Sequence, residues 1–163
     1  MTAFLFRMPY GIPGDVTRQS ISTIETQVFD PAKAFPGYGL PGKIVSGKFV
    51  HVESGDAATV VYGFLVRPFP TQGANPSDPL GTSVPKTSGP ADVLRRGYLN
   101  VKVNAGTAAL NGAVYVRVAN AAAGKPIGGI EAAADGGNCV AIAGAIFMSA
   151  ADASGNVEIA YNI

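Results

Sequence analysis

The chain of 163 residues has little of the chemistry that most active sites need, since it contains one histidine, one cysteine and no tryptophan. A zinc site needs several Cys, His or carboxylate ligands, so a single His51 and a single Cys139 argue against one. A lone cysteine also excludes a disulfide within the chain and fits a reducing compartment. No nucleophile elbow or Cys-His signature is present. We therefore expect no catalytic residue, no cofactor and no metal ligand.

Charge is also scarce, because charged residues make up 14% of the chain, against about 25% in an average soluble protein. The 12 basic and 11 acidic residues nearly cancel, which leaves no large net field to attract nucleic acid. The basic pair Arg95 and Arg96 lacks the interleaved aromatic residues of a base-stacking platform. No apolar run approaches the roughly 20 residues of a membrane span. We predict neither nucleic acid nor membrane as a partner. A net charge near zero favours association, and a polar but uncharged surface of Ser, Thr and Asn is an equal explanation of the low charge.

The sequence is rich in short apolar runs separated by turn residues, and the clearest of them lie in the last third of the chain. Residues 98–104, 113–119 and 157–163 alternate between apolar and polar, which is typical of strands with one buried face. Residues 138–148 are apolar on both faces and predict a strand that is covered on both sides. Asn111 and Gly112 suit a tight hairpin turn.

The first part of the chain predicts further strands. Residues 15–30 fit both helical and strand spacing, but their Thr, Ser, Ile and Val content favours a strand. Residues 43–53 predict either a strand pair or one bent strand, with Gly47 at a turn or at a bulge. Residues 59–67 predict a central strand, and residues 91–96 are expected to form one helical turn.

A stretch in the loop at 31–42 imitates a phosphate-binding loop. Gly37, Gly42 and Lys43 have the required spacing. However, Ile44 replaces the Ser or Thr that would hold magnesium, and a strand pattern follows where a helix is required. We expect no nucleotide site here.

Together these patterns predict an all-β fold, a small β-barrel or jelly-roll-like sandwich of about 7–9 strands. Residues 15–163 form a single domain, which is long enough to bury one core. Within it, residues 68–92 contain six Pro and three Gly without periodicity. Loops of this length are usually functional or disordered.

Residues 1–14 precede the domain as an apolar arm that ends at Pro13 and Gly14. Two alternatives stay open for it: an extra edge strand of its own domain, or a segment that reaches to a partner. Arg7 and Pro9 interrupt the place of a signal peptide's apolar core, so we expect no export signal. The predicted contact residues come from this arm and from the long loop: Phe4, Phe6, Met8, Tyr10, Ile12, Phe69 and Leu80.

Several stretches resemble the structural cement proteins of tailed bacteriophage heads. They are Pro-Gly-Asp-Val-Thr-Arg at 13–18, Val-Tyr-Gly-Phe-Leu-Val-Arg-Pro-Phe-Pro-Thr-Gln at 61–72, Gly-Ala-Val-Tyr-Val at 112–116, Ala-Ile-Phe at 145–147 and Gly-Asn-Val-Glu-Ile at 155–159. The resemblance implies a small β-barrel or jelly-roll-like domain that binds the capsid exterior and bridges major capsid protein subunits. It implies no catalytic residues, synthesis in the host cytoplasm, and copies of the chain itself, as a dimer or trimer, as further partners.

The residues agree with such a role without depending on the resemblance. A weakly charged domain with an apolar arm and a long Pro/Gly loop suits a clamp, because modest contacts repeated on a lattice give high effective affinity. The alternative is a carbohydrate-binding β-sandwich of a head fibre or other virion appendage. The lack of tryptophan and the placement of several tyrosines in strand patterns weigh against that alternative. A third hypothesis is a small β-barrel hydrolase, and the lack of catalytic sequence signatures weighs against it.

Overall fold

A computed structural model of the chain describes residues 11–68 and 83–163. Within these ranges the only helical segments are two 3-10 turns, Gln19–Ile21 and Ala58–Val60. None of the described helices is long and apolar enough to cross a membrane. The predicted all-β fold is confirmed. The described strands are β1 (Thr23–Val28), β2 (Pro41–Val45), β3 (Lys48–His51), β4 (Gly63–Leu65), β5 (Pro90–Ala105), β6 (Ala113–Arg117), β7 (Ile130–Glu131), β8 (Cys139–Phe147) and β9 (Asn156–Tyr161).

Five of these strands close into a barrel in the order β5–β7–β6–β8–β9, and β9 pairs back onto β5. Closure leaves this ring without a free edge. The alternation seen in the sequence directs one side of each strand inward. Val114 and Val116 of β6 and Val157 and Ile159 of β9 are therefore fully buried in the barrel core.

A second sheet stands on the other half of β5, in the order β3–β2–β4–β5–β1. Of the two alternatives for residues 43–53, the structure has the strand pair, because β2 and β3 form a hairpin around Ser46 and Gly47. These two residues have φ values of +50° and +75°, which suit a two-residue turn. An isolated bridge between Phe29 and Phe49 joins the two ends of the sheet. One face of the sheet encloses a second, largely aromatic cluster: Phe29, Phe35, Tyr38, Phe49, Leu65, Ala91 and Val93.

The 16 residues of β5 belong to both sheets. Its first part pairs with β1 and β4, and from Gly97 onward it pairs with β9. Gly97 has a φ of +134°, and a Cβ at this position would collide with the side chain of Ser22. Only glycine tolerates both conditions, so Gly97 marks the point where the strand changes partners.

The expectation of a helical turn at residues 91–96 is wrong, because these residues are part of β5. Val93 points into the aromatic cluster, whereas Leu94 points into the barrel core. A strand with both faces buried shows no alternation, which is why its sequence resembled a helical turn. The predicted strand at 59–67 is shorter than expected, since β4 covers three residues and a 3-10 turn precedes it.

Candidate interaction surface

Of the predicted contact residues, Ile12 alone falls within the described part of the chain. The others, Phe4, Phe6, Met8, Tyr10, Phe69 and Leu80, lie outside the described residues. Ile12 is half-buried, and its carbonyl accepts a hydrogen bond from the Asp15 amide at 3.3 Å. This bond closes the turn formed by Pro13 and Gly14.

The chain is attached to the barrel from Gly11 onward. The side chain of Asn156 donates to the Gly11 carbonyl at 3.0 Å, and the Gly14 amide donates to the Asn100 carbonyl at 2.8 Å. Further along, Arg18 forms an ion pair of 2.7 Å with Glu158 of β9. Residues 11–18 are therefore held against the barrel by contacts to β5 and β9.

The most deeply buried ionic cluster lies on the outer side of β6 and centres on Arg117, which is 1% exposed. Its guanidinium donates to the carboxylates of Glu131 and Asp135 and to the carbonyls of Ala119 and Asn120 at 3.2 and 3.1 Å. The hydrogen bond to Glu131, followed by the one to Asp135, raises the pKa of Arg117. All three nitrogen atoms of this guanidinium thus donate hydrogen bonds to partners from the same chain.

The acidic partners of Arg117 are held in their charged forms. Burial acts to raise the pKa of Glu131, but hydrogen bonds from Arg117 and Cys139 outweigh it and leave that pKa below its usual value. The hydrogen bond from Arg117 likewise lowers the pKa of Asp135. Burial, followed by the hydrogen bond to Glu131, raises the pKa of the Cys139 thiol to about 11. At neutral pH Cys139 therefore stays a thiol and donates to Glu131 at 3.2 Å.

Glu131, Asp135 and Cys139 place one potential ligand atom each within 4.8 Å of one another, a spacing that a metal ion could use. However, Arg117 already occupies both carboxylates, and a metal-binding or nucleophilic cysteine must be a thiolate. The cluster is an internal ion-pair network, and its chemistry favours neither a metal centre nor a catalytic site.

The stretch that imitates a phosphate-binding loop forms part of the hairpin. Lys43 lies in β2, where its ammonium group is 2.7 Å from Asp56 and 2.9 Å from Glu53. These two carboxylates form ion pairs with the Lys43 ammonium group, which would otherwise be available to bind a phosphate group. The strand conformation also excludes the helix N-terminus on which such a loop depends.

The described tyrosines bear on the carbohydrate alternative, which requires exposed ring faces. Arginine side chains lie over three of the rings: Arg18 over Tyr98 at 3.9 Å, Arg67 over Tyr38 at 4.4 Å and Arg95 over Tyr62 at 3.6 Å. A fourth, Tyr161, is buried against Phe64 with ring centroids 5.0 Å apart. Cation–π stacking of this kind covers one face of each of these three rings. Tyr115 differs from them, since it points outward from β6 and is partly exposed.

Exposed large apolar side chains lie at several places in the described chain that no sequence pattern marked as contacts, and Val84 and Ile163 are among them. Ile21, Ile24 and Val28 lie at and before β1, Ile44 and Val45 lie near the hairpin turn, and Leu110 and Ile146 lie on the barrel. The expectation that residues 138–148 are covered on both sides does not hold for this single chain, because Ala141, Ala143 and Ile146 are exposed on β8. The signal was present as an apolar run without alternation, but a run cannot show which molecule covers its outer face.

Comparison with known proteins gives a match to a family model, matches to solved structures and one negative result. The family model described as XM1 gp53 minor capsid protein matches residues 1–161. A chain in the solved structure "The capsid of Myoviridae Phage XM1" is similar, with a TM-score of 0.67 and 18% identity over 98% of this chain and 95% of that chain. At this identity the similarity concerns the fold. No curated protein matches the sequence.

Proposed function

Because this chain belongs to the XM1 gp53 minor capsid protein family and is a structural component of the phage virion, we propose that it acts as a cement subunit. In this role it binds the outside of the head and bridges neighbouring subunits of the major capsid protein. The observation that carries the proposal is that exposed apolar side chains occur on β1, near the β2–β3 turn and on the barrel, rather than at one site. A bridging protein needs several contact areas, whereas a protein with one ligand needs a single concave site.

The ionic groups support a non-enzymatic role. In the described residues the two densest clusters, around Arg117 and around Lys43, are satisfied by partners of the same chain. Neither cluster offers a group poised for acid–base work in a cleft. Their role is to fix the connections between strands.

The arm adds a further contact in this proposal. Residues 1–10 precede the attachment point at Gly11 and carry Phe4, Phe6, Met8 and Tyr10. Burying one such side chain stabilises a contact by roughly 1.5–3 kcal/mol, while ordering the chain costs about 1–2 kcal/mol per residue. The net contribution of one arm is therefore small. Repetition over a lattice turns it into a large effective affinity.

Two measurements test the cement role. Quantitative mass spectrometry of purified virions should find the chain in numbers comparable to the major capsid protein, and a few copies per particle would contradict the role.

Attachment to heads should also persist when the salt concentration rises from about 0.1 M to 1 M. Screening by salt weakens charge-driven contacts, and the chain is weakly charged. Release by salt alone at neutral pH would show that ion pairs hold it.

A truncated chain that begins at Gly11 separates the two alternatives for the arm. A docking arm predicts an unchanged thermal midpoint together with weaker co-sedimentation with heads. An edge strand of the domain predicts a lower midpoint or aggregation instead. A matched control is the full-length chain with Phe4, Phe6 and Met8 replaced by serine, which keeps the length of the arm and removes its apolar contacts. An unchanged midpoint with full binding would eliminate both alternatives.

A further inference from the structure

The strand β1 forms one edge of the second sheet, and its side away from β5 is open. It pairs with β5 along its whole length. On the other side an isolated bridge joins only Phe29, directly after the strand, to Phe49 of β3. Within residues 11–68 and 83–163, no further strand pairs with β1. Such an edge presents a row of backbone donors and acceptors to which another extended chain can bind.

The direction of one hydrogen bond shows which backbone groups point to the open side. The amide of Phe29 donates to the Gly89 carbonyl at 3.0 Å, that is, towards β5. Backbone groups alternate in direction along an antiparallel strand, so those of Ile24 and Thr26 and the amide of Val28 point away from β5. None of them has a hydrogen-bond partner in the described part of the chain. We call these backbone groups the open edge.

The open edge lacks the residues that usually protect a strand edge from pairing. Lysine and proline are the common protection. β3, at the opposite edge of the sheet, begins at Lys48, whereas β1 contains neither lysine nor proline. Instead, Ile24 and Val28 stand on the outer face beside the open edge and are 40% and 53% exposed. An exposed, apolar edge strand of this kind is a site for pairing with another chain.

The inner side of β1 is held in place by a polar network. The Tyr62 hydroxyl donates to Glu25 at 2.5 Å, and the Gln27 side chain donates to the same hydroxyl at 3.2 Å. Arg95 lies 3.5 Å from Glu25. The strand is therefore fixed before any partner arrives, so binding at the open edge does not have to order it.

The side chains beside the open edge define what an added strand must carry. Thr26 lies between Ile24 and Val28 on the outer face, and its hydroxyl donates to Asp92 at 3.3 Å. Asp92 is half-buried, and no described basic side chain forms an ion pair with it. Side chains directly opposite each other on paired strands interact. The complementary segment therefore has apolar side chains opposite Ile24 and Val28, and a basic one opposite Thr26.

From these observations we infer that the open edge binds an extended segment of a neighbouring major capsid protein subunit, which adds a strand to the second sheet. Alternating donors and acceptors at strand spacing are the chemistry of a polypeptide backbone. The chain belongs to a capsid protein family, which makes other capsid chains its partners. Because the bridge to Phe49 closes the edge after Val28, the segment ends or turns away there. The inference rests on the proposed cement role and names one of its contacts.

A second copy of β1 does not fit this edge. Two-fold pairing centred on Thr26 would use the whole edge. However, the turn Gln19–Ile21 precedes β1, and this pairing would carry the turn of one copy into the position of Phe49 in the other. Pairing centred on Glu25 would place two carboxylates opposite each other, which is destabilising.

Co-sedimentation with heads assembled without this chain tests the inference. Thr26→Pro removes the central donor of the open edge and no bond to β5, and edge strands tolerate proline. The lost bond leaves a partner group unsatisfied, so the apparent dissociation constant should rise by at least about tenfold. Thr26→Val is the matched control, because it keeps the backbone donor, and it should attach nearly as well as the unmodified chain. Asp92→Asn should weaken attachment by about two- to fivefold, as expected for a partly exposed ion pair.

Hydrogen exchange gives a readout that needs no substitution. In a peptide that spans β1, the amides of Ile24, Thr26 and Val28 should exchange rapidly in the free chain and slowly on heads. This measurement decides the result if Thr26→Pro lowers the midpoint of thermal unfolding. Protected edge amides on heads then support the inference, and unprotected ones overturn it.

Residues 1–10 are the rival occupant, because Leu5 and the basic Arg7 stand at alternate positions there. A chain that begins at Gly11 separates the two. A capsid segment predicts that Thr26→Pro weakens attachment by the same factor with and without residues 1–10. If Thr26→Pro has no effect in the shortened chain, residues 1–10 occupy the edge and the inference is wrong.

The remaining outcomes separate the inference from the cement role. Weaker attachment of Thr26→Pro in both chains, with Thr26→Val unaffected, supports the inference. A folded Thr26→Pro variant that attaches as well as the unmodified chain overturns the inference and leaves the cement role intact. An unmodified chain that does not attach to heads contradicts the cement role itself, and the inference falls with it.

Discussion

The barrel and the second sheet share β5, yet they bury different kinds of side chain. The barrel core is mainly aliphatic, with Val101, Ile130 and Ile159 among its fully buried members. The second core is largely aromatic, and the rings of Phe35 and Phe49 stack with centroids 4.9 Å apart. Branched aliphatic side chains fill the tapering interior of a small barrel, whereas a few large rings can cover a sheet that has no second layer.

The two cores also differ in what closes them. Strands that pair all the way round enclose the barrel core. The aromatic core depends on the loop between β1 and β2, which supplies Phe35 and Tyr38 as its cover. Local opening of a core that is covered by a loop costs less free energy than opening a closed ring of hydrogen-bonded strands. We therefore expect the barrel to be the more stable half, and the following changes test that difference.

Phe147→Ala should have the largest effect, because Phe147 is fully buried in the barrel core. Its loss leaves a cavity that the closed ring cannot collapse around, so we expect the free energy of unfolding to fall by about 3–5 kcal/mol. Chemical denaturation followed by circular dichroism measures this. A loss no larger than that of Phe35→Ala would mean that the barrel is not the stable half.

Phe35→Ala should cost less, about 2–3 kcal/mol, because the loop that carries Phe35 can move into the space. Its consequences should also stay local. Amide hydrogen exchange should accelerate in β2 and β3 while β6, β8 and β9 keep their protection. Equal acceleration in both halves would indicate a single cooperative unit.

Gly97→Ala tests the point where the two halves meet. A residue with a Cβ at a φ of +134° is strained, and the side chain of Ser22 must also move. We expect a loss of about 1–3 kcal/mol. The double change Gly97→Ala with Ser22→Gly should recover the part that is due to the collision. If it recovers nothing, the loss comes from backbone strain and from the contact with the Ser22 Cα, which remains in the double variant.

Acid should weaken the barrel through Glu131. Because the folded pKa of Glu131 is lowered, its ionised form stabilises the fold at pH values above the unfolded pKa of about 4.3, and this contribution is lost as the pH falls below that value. Glu131→Gln should therefore lower the midpoint of thermal unfolding at neutral pH. The difference in midpoint between this variant and the unmodified chain should become smaller in acid. A constant gap would show that ionisation of Glu131 does not stabilise the fold.

Glu53 of the second half is the matched carboxylate for this experiment. Hydrogen bonds from Lys33 and Lys43 lower its pKa to about 2. However, its side chain is 32% exposed, so solvent screens these ion pairs. Glu53→Gln should accordingly shift the midpoint less than Glu131→Gln does, despite the low pKa. A larger shift in midpoint for Glu53→Gln than for Glu131→Gln would show that the ion pairs of Glu53 stabilise the fold more.

The smallest expected effect concerns the reactivity of the Cys139 thiol. This reactivity reports opening of the barrel and requires no change in stability. The thiol is buried in the barrel wall and has a pKa of about 11, so Ellman's reagent should react slowly with the folded chain. Phe147→Ala should accelerate the reaction, because the barrel opens more often, and Phe35→Ala should not. Rapid reaction of the unmodified chain would contradict the burial of this group.

The inner sides of the strands could be predicted from the sequence, because alternation is a local property of a strand. Leu99 and Val101, like Val114 and Val116, point into the core as their spacing indicates. The interruption at Gly47 was predictable for the same reason, since turn chemistry involves neighbouring residues. The sequence left open whether a strand pair or one bent strand surrounds it. The contact residues before Gly11 and after Pro68 stay predictions, because they lie outside the described residues.

Tertiary structure alone decided how the strands are ordered and what covers their outer sides. No local pattern indicates that β7 lies between β5 and β6, or that Arg117 and Glu131 are buried together, although both interrupt apolar runs. The extension of β5 through residues 91–96 depends on two cores that residues distant in the chain provide. Pairing and burial of this kind are long-range properties, so residue types along one segment specify a strand and its inner face but not its neighbours.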